Sequence, residues 1–218
     1  MSVYYVWVPR RLIINADDLG ITPQRTHGIF LCFEHGSVTS ASLLPNFSGS
    51  DTAARHAREK GLPTGLHLNL TEGAPLSRAE DIKSLLTPDG YFLDRGTLKR
   101  MLGEGDIEKA HIERELRAQF EWFLDHYGQP THADGHHHIH IHPVVAEVLV
   151  PLFDRYGISY VRIPSEPLPP FGFIIDEQRI KKLQAICAQA EAARTLFRAH
   201  QVSSADHFRG LALCGNAS

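Results

Sequence analysis

The chain has 218 residues, 43% hydrophobic and 22% charged, with a formal net charge of -3. That balance suits one globular domain with a sizeable core and excludes a disordered tail. Acids and bases are interspersed, with no basic stripe of the kind that tracks nucleic acid.

Other classes fall away as quickly. Cys32, Cys187 and Cys214 lie far apart and form no C-x-x-C pair, which points to a reducing, cytoplasmic setting without a disulfide framework. The opening MSVYYVWVPRR carries its positive charges after the apolar run, the reverse of a signal peptide. No segment approaches the roughly 20 apolar residues that a membrane span needs.

Taken in chain order, Leu12, Ile13 and Ile14 predict a buried strand that ends in a polar turn over 15–20. Pro23 opens a predicted helix that runs through Glu34, with Gly36 closing it. Residues 38–44 predict a second strand, stopped by Pro45, and 50–60 a helix ended by Gly61. The alternation over 66–70 predicts a strand with His67 and Asn69 on one face. Residues 71–105, rich in Gly, Pro, Asp and Thr, read as a long loop excursion, and such loops are often lids or binding loops.

The clearest helix spans 107–127, where Ile112, Leu116, Phe120, Phe123 and Tyr127 form one apolar stripe. Helices are also predicted over 143–156 and 177–199, a strand over 157–163, a proline-rich loop over 164–170 and the start of a strand at 211–213. Strand and helix alternate, which calls for a parallel sheet covered by helices. No G-x-G-x-x-G follows the first strand, so the α/β fold class expected is a distorted, incomplete (β/α) TIM-like barrel rather than a dinucleotide fold.

Three polar clusters sit where predicted strands end: Asp17 with Asp18, His67 with Asn69, and Asp134 with the histidines that follow it. In an α/β barrel, functional groups gather at the carboxyl ends of strands, so distant clusters can converge. The stretch 131–143, THADGHHHIHIHP, holds six of the fourteen histidines. An extended backbone over 131–136 would put Asp134 and His136 on one face; His138 and His140 continue that face only if the strand persists. Adjacent carboxylates can divide labour, one binding a cation and the other taking a proton. One carboxylate with two imidazoles is a common ligand set for a catalytic divalent metal, and the implied reaction is hydrolysis. The absence of a G-x-S-x-G elbow speaks against a serine hydrolase of that type.

The motifs N-A-D-D-L-G at 15–20, V-T-S-A-S-L at 38–43, G-L-H-L-N-L-T-E-G at 65–73 and P-T-H-A-D-G-H-H-H-I-H-I-H-P at 130–143 occur in this order. Together they resemble the YdjC-like family, whose members include chitooligosaccharide deacetylases. The resemblance implies a distorted (β/α) barrel, a single divalent metal ion (magnesium or zinc), and removal of an N-acetyl group from an amino sugar. It also implies roles. Asp17 matches the general base, and Asp18, His67 and His136 match the metal ligands.

The family's late His-Pro motif, which supplies a general acid, has no counterpart before the final Leu-Cys-Gly-Asn-Ala-Ser, so His140 is the candidate acid. Asn69, Asp134 and His138 are left as candidate substrate-binding residues. His132, His137 and His142 are expected in structural or surface roles. The expected domain is a single unit over 1–218 that lacks the family's C-terminal section. Its open sheet edge would favour a homodimer. Two other readings stay in play: a metal-dependent hydrolase of a phosphoester or glycoside, and a non-catalytic metal- or sugar-binding protein.

Overall fold

The computed structural model describes residues 11–167 and 177–211. Four parallel strands, β1 (Asn15–Leu19), β2 (Ser40–Leu43), β3 (Thr64–Leu68) and β4 (Ala133–Gly135), pair in the order β1-β2-β3-β4. Parallel bridges from Ala133 to Val161 and from Tyr160 to Ser203 carry the same sequential order onward. A doubly wound sheet would reverse direction at a switch point. This α/β fold does not reverse; it has the winding of a (β/α)-barrel-like fold, and among the described residues the sheet is not closed.

Helices α1 (Pro23–Glu34) and α2 (Ser50–Lys60) form the first two crossovers. Helices α3 (Arg95–Glu104) and α4 (Lys109–His126) lie between β3 and β4, and α5 (Pro143–Arg155) and α6 (Glu177–Ala199) follow. Local chemistry explains their ends. The Thr22 hydroxyl accepts from the Arg25 amide at 3.2 Å ahead of Pro23, and Gly61 ends α2 at a φ of 65°.

Some expectations shift. The first strand begins at Asn15, immediately after the predicted apolar run, and Leu12, Ile13 and Ile14 are exposed. The polar N-A-D-D sequence can occupy a strand because its side chains find partners in the site described below. The third strand ends at Leu68, one residue before Asn69. The excursion over 71–105 contains α3, which composition alone hid. Asp94 caps it, its Oδ1 accepting from Gly96 N at 2.8 Å and Thr97 N at 3.2 Å. Residues 157–163 make only isolated bridges. Residues 212–213 of the predicted strand at 211–213 and part of the proline-rich loop lie outside the described residues.

Among the described residues, no helix is long and apolar enough to cross a membrane. The core lies between the sheet and the helices, with α4 packed against α2, α5 and β3, and α5 against α6. Phe120 sits at its centre, fully buried, stacked on Tyr156 at 4.9 Å and edge-on to Phe153 at 6.2 Å. Phe120→Ala removes this aromatic volume from a site that cannot collapse. It is expected to lower stability by about 3–5 kcal/mol in urea unfolding, with little change in m-value.

Candidate metal centre

The site forms at the carboxyl ends of β1, β3 and β4. In β1 the pairing register shifts between Ala16 and Leu19, and Asp18 adopts a left-handed φ of 66°. A regular strand would send neighbouring side chains to opposite faces. The irregularity instead lets Asp17 and Asp18 both reach the site, with different partners.

Asp18 Oδ1 lies 3.1 Å from His136 Nδ1 and 3.4 Å from His67 Nε2. The candidate ligand atoms of Asp18, His67 and His136 all fall within 4.8 Å of one another. Burial alone would raise the Asp18 pKa, but hydrogen bonds from His136 and His67 overcome it and hold the carboxyl well below the usual range. Arg25 pairs with the other oxygen, Oδ2, from α1.

Behind this trio stands Asp134, with no solvent exposure. Its Oδ1 is 2.6 Å from His67 Nδ1; its Oδ2 accepts from Ser42 Oγ at 2.7 Å and from Arg162 Nη2 at 3.1 Å. Burial lowers the basicity of His67, yet the charge of Asp134, with help from Asp18 and Asp17, raises its pKa to about 9. Asp17 is gripped by Arg162 through two bonds, Nη1 to Oδ1 at 2.6 Å and Nη2 to Oδ2 at 2.8 Å. Desolvation works against ionisation of Asp17, and the charges of Arg162 and His67 together with the Arg162 hydrogen bonds more than offset it.

Of the residues singled out in the sequence, Asp17, Asp18, His67 and His136 come together, and His138 lies in the same charge environment. Burial and the Arg162 charge push the His138 pKa down to about 3, so its ring is neutral. Its Nδ1 is buried without a hydrogen-bond partner among the described residues.

Three expectations need correction. Asp134 cannot meet a substrate, because it is sealed behind His67. The Asn69 side chain is buried and engaged in a turn. Its Oδ1 accepts from Thr71 N at 2.9 Å and Glu72 N at 3.2 Å, and its Nδ2 donates to Glu72 O at 2.7 Å. His140 is fully buried, its Nε2 donates to Arg162 O at 2.7 Å, and burial pushes its pKa down to about 4. A ring so enclosed does not hand a proton to a substrate.

The reason His140 turns away is that β4 stops at Gly135. The chain then winds through a 3-10 segment, His136–Ile141, with His137 and His138 left-handed at φ 53° and 58°. The alternating face that would have aligned His136, His138 and His140 does not exist. His137 is 2.9 Å from Thr71 Oγ1. His132 is buried, 3.2 Å from Ser42 Oγ, and lies so close across Gly65 that a Cβ there would approach its Nδ1 to 2.5 Å.

Sequence reasoning passed over Arg162, Ser42, Asn15 and Glu72. Asn15 Nδ2 donates to Asp17 Oδ1 at 2.7 Å and Ser42 Oγ at 2.8 Å, and Glu72 Oε2 is 2.8 Å from His136 Nε2. A usable signal existed for Arg162, a lone cation in the apolar run Tyr-Val-Arg-Ile at a predicted strand end.

The donor set fits a divalent metal. It offers one carboxylate and two imidazoles, with the far nitrogen of His67 fixed by a buried carboxylate, as metal-binding histidines usually are. Arg162→Ala would strand the buried charge of Asp134 and is expected to cost about 3–5 kcal/mol in denaturant unfolding at neutral pH. The exposed side of the Asp17 pair, 38% accessible, is screened by water and adds less. The carboxylates have depressed pKa values. Their contribution is present above the unfolded carboxylate range and is lost as pH falls through the folded values. The gap between wild type and variant therefore narrows in acid.

The sequence profile described as YdjC-like protein matches residues 11–218. The chain is 37% identical over 216 residues to a carbohydrate deacetylase of Mus musculus, covering 94% of this chain and 67% of that protein. It is 41% identical over 162 residues to a carbohydrate deacetylase of Geobacillus stearothermophilus, covering 74% of this chain and 61% of that one. Among solved structures, an Enterococcus faecalis V583 protein described as a candidate cellobiose-phosphate cleavage protein superposes with a TM-score of 0.62 at 28% identity. That alignment covers 80% of this chain and 64% of the other. The chain spans about half to two thirds of the length of the curated relatives it matches. On its four ordered motifs, its sequential parallel sheet and these matches, the chain belongs to the YdjC-like family.

Proposed function

We propose that this chain is a single domain of a metal-dependent hydrolase that removes N-acetyl groups from an amino sugar or a short chitooligosaccharide-like substrate. The observation that carries this reading is the meeting of Asp18, His67 and His136 from three strand ends, with the ionised Asp17 beside them. The names of the relatives supply the substrate class, an acetylated carbohydrate.

In this reading Asp18, His67 and His136 hold one divalent ion, magnesium or zinc. Such an ion polarises a carbonyl and lowers the pKa of bound water toward neutrality. The protein's own groups do the rest. Asp134 fixes the tautomer and tilt of His67 by accepting from its Nδ1. Arg162 keeps the Asp17 carboxylate ionised and oriented, ready to accept a proton at an Oδ atom. Once protonated, Asp17 can return that proton to the departing nitrogen, a step for which buried His140 is unsuited. Neutral His138 offers a hydrogen bond without adding charge.

The test is acetate release from N-acetylglucosamine oligomers in the presence of magnesium or zinc. Asp17→Asn is expected to lose about 100- to 10,000-fold in kcat while retaining metal. His67→Ala is expected to lose both metal and activity. Undiminished acetate release by metal-stripped protein would sink the proposal. The description of the Enterococcus faecalis neighbour favours one rival, cleavage of a phosphorylated disaccharide. The same reactions should therefore be followed for phosphate and new reducing ends. Either product without acetate would select the rival, and tight sugar binding with no product would select a binding protein.

A further inference from the structure

Helix α4 buries two polar side chains in an otherwise apolar face. Glu115 and Gln119 have no solvent exposure and sit one turn apart, with Gln119 Nε2 donating to Glu115 Oε1 at 2.9 Å. Neither belongs to the core stripe by chemistry, and burying them without partners would be costly. Apart from each other, their partners all lie in one loop.

Gln119 brackets Asn69 by its backbone. Its Oε1 accepts from Asn69 N at 2.9 Å and its Nε2 donates to Asn69 O at 2.6 Å. Glu115 takes the other end of the loop, accepting from Leu76 N at 3.1 Å and Ser77 N at 2.9 Å. The loop is thus pinned at both ends to one helix. Between the pins the Asn69 side chain closes a tight turn over Thr71 and Glu72, and Asn46 Nδ2 ties down Glu72 O at 3.0 Å. The product of this scaffolding is the Glu72 carboxylate, 2.8 Å from His136 Nε2.

His136 therefore mirrors His67. Each ring turns one nitrogen toward Asp18 and the other toward a carboxylate: Asp134 behind His67, Glu72 behind His136. We propose that Glu72 is the positioning carboxylate of His136, and that Gln119 and Glu115 of α4 are the clamp that places it. The inference rests on the reading of Asp18, His67 and His136 as a metal site. Glu72 acts through His136, fixing its tautomer with Nε2–H donating outward and Nδ1 free to bind. The clamp acts through Glu72.

The experiment is calorimetric titration of the metal-free protein with zinc alone, which reads affinity without activity. Glu72→Ala is expected to weaken zinc binding by roughly 10- to 100-fold. Glu72→Gln retains an acceptor for Nε2–H and is expected to stay within about threefold of wild type. Gln119→Leu keeps the volume but releases the loop. It should weaken zinc on its own, speed amide exchange over residues 69–77, and add little on top of Glu72→Ala, because both act on one element.

An unchanged affinity in Glu72→Ala overturns the inference. A Glu72→Gln loss as deep as that of His136→Ala also overturns it, since it would make Glu72 a direct ligand. Additive losses in the double variant overturn the clamp. His136→Ala separates the levels. If wild type and His136→Ala bind zinc alike, the metal site itself falls. If only His136→Ala loses zinc, the metal site stands and the role of Glu72 falls. Gln119→Leu variants that fail to fold leave Glu72→Ala and Glu72→Gln, both at a half-exposed side chain, to decide the first part.

Discussion

A carboxylate with no access to water must be paired where it stands, and Asp134 is such a group. Its partners come from three different elements: His67 from β3, Ser42 from β2 and Arg162 from beyond α5. Satisfying this one charge therefore fixes the register of the sheet. His67 and Asp134 are register partners across β3 and β4, and Ser42 pairs with Gly65 across β2 and β3. A slip of one residue would turn every polar partner to the other face and leave Asp134 alone. The absence of a side chain at Gly65 belongs to the same arrangement, because His132 lies across it to reach Ser42.

Backbone irregularity concentrates where these charges meet. Three of the four non-glycine residues with positive φ among the described residues are Asp18, His137 and His138. Each such conformation costs on the order of 1–3 kcal/mol and persists only where surroundings over-determine it. At Asp18 the strain turns two consecutive aspartates to two tasks, one toward Arg162 and one toward the histidines. At His137 and His138 it turns the chain away directly after His136, the first residue past the strand. His136 alone then stands at the strand end, and His140 folds behind the sheet to hold Arg162 O. The imidazoles that follow are kept neutral by burial, so the cluster carries less positive charge than its histidine count suggests.

These local events set what could be read in the sequence. Helix Pro23–Glu34, read from its end signals, and helix Glu177–Ala199, read from its apolar periodicity, match their predicted bounds. Helix Arg95–Glu104 was hidden because Gly, Thr and Asp dominate its surroundings, and its identity depends on the Asp94 cap. The meeting of the Asp17-Asp18 pair, His67 and the histidine stretch was legible because strand-end polar clusters converge in a sequential parallel sheet, whereas His136 was singled out among the histidines only by the family resemblance. Asp134, Asn69 and His140 were misplaced for one reason. Alternation tells which face a strand residue takes, but not where the strand stops or which polar groups need each other inside. Arg162 and Glu72 were passed over because their importance lies in pairing across long sequence separations, which one chain's pattern does not display.

Helix α4 joins these two levels. Its buried side mixes Ile112, Leu116, Phe120 and Phe123 with Glu115 and Gln119. An all-apolar face would need no partners, whereas burying Glu115 and Gln119 is tolerated only because groups of the loop and of each other satisfy them. Burial pushes the Glu115 pKa up, so ionising it there carries a penalty that hydrogen bonds only reduce. Retaining such a pair makes physical sense if its product is placement rather than stability. The same face that seats Phe120 in the core holds the 69–77 loop by its backbone, at distances of 2.6–3.1 Å. The position of Glu72 relative to His136 is thereby tied to the packing of a core helix, and a loop on the site inherits the rigidity of the core.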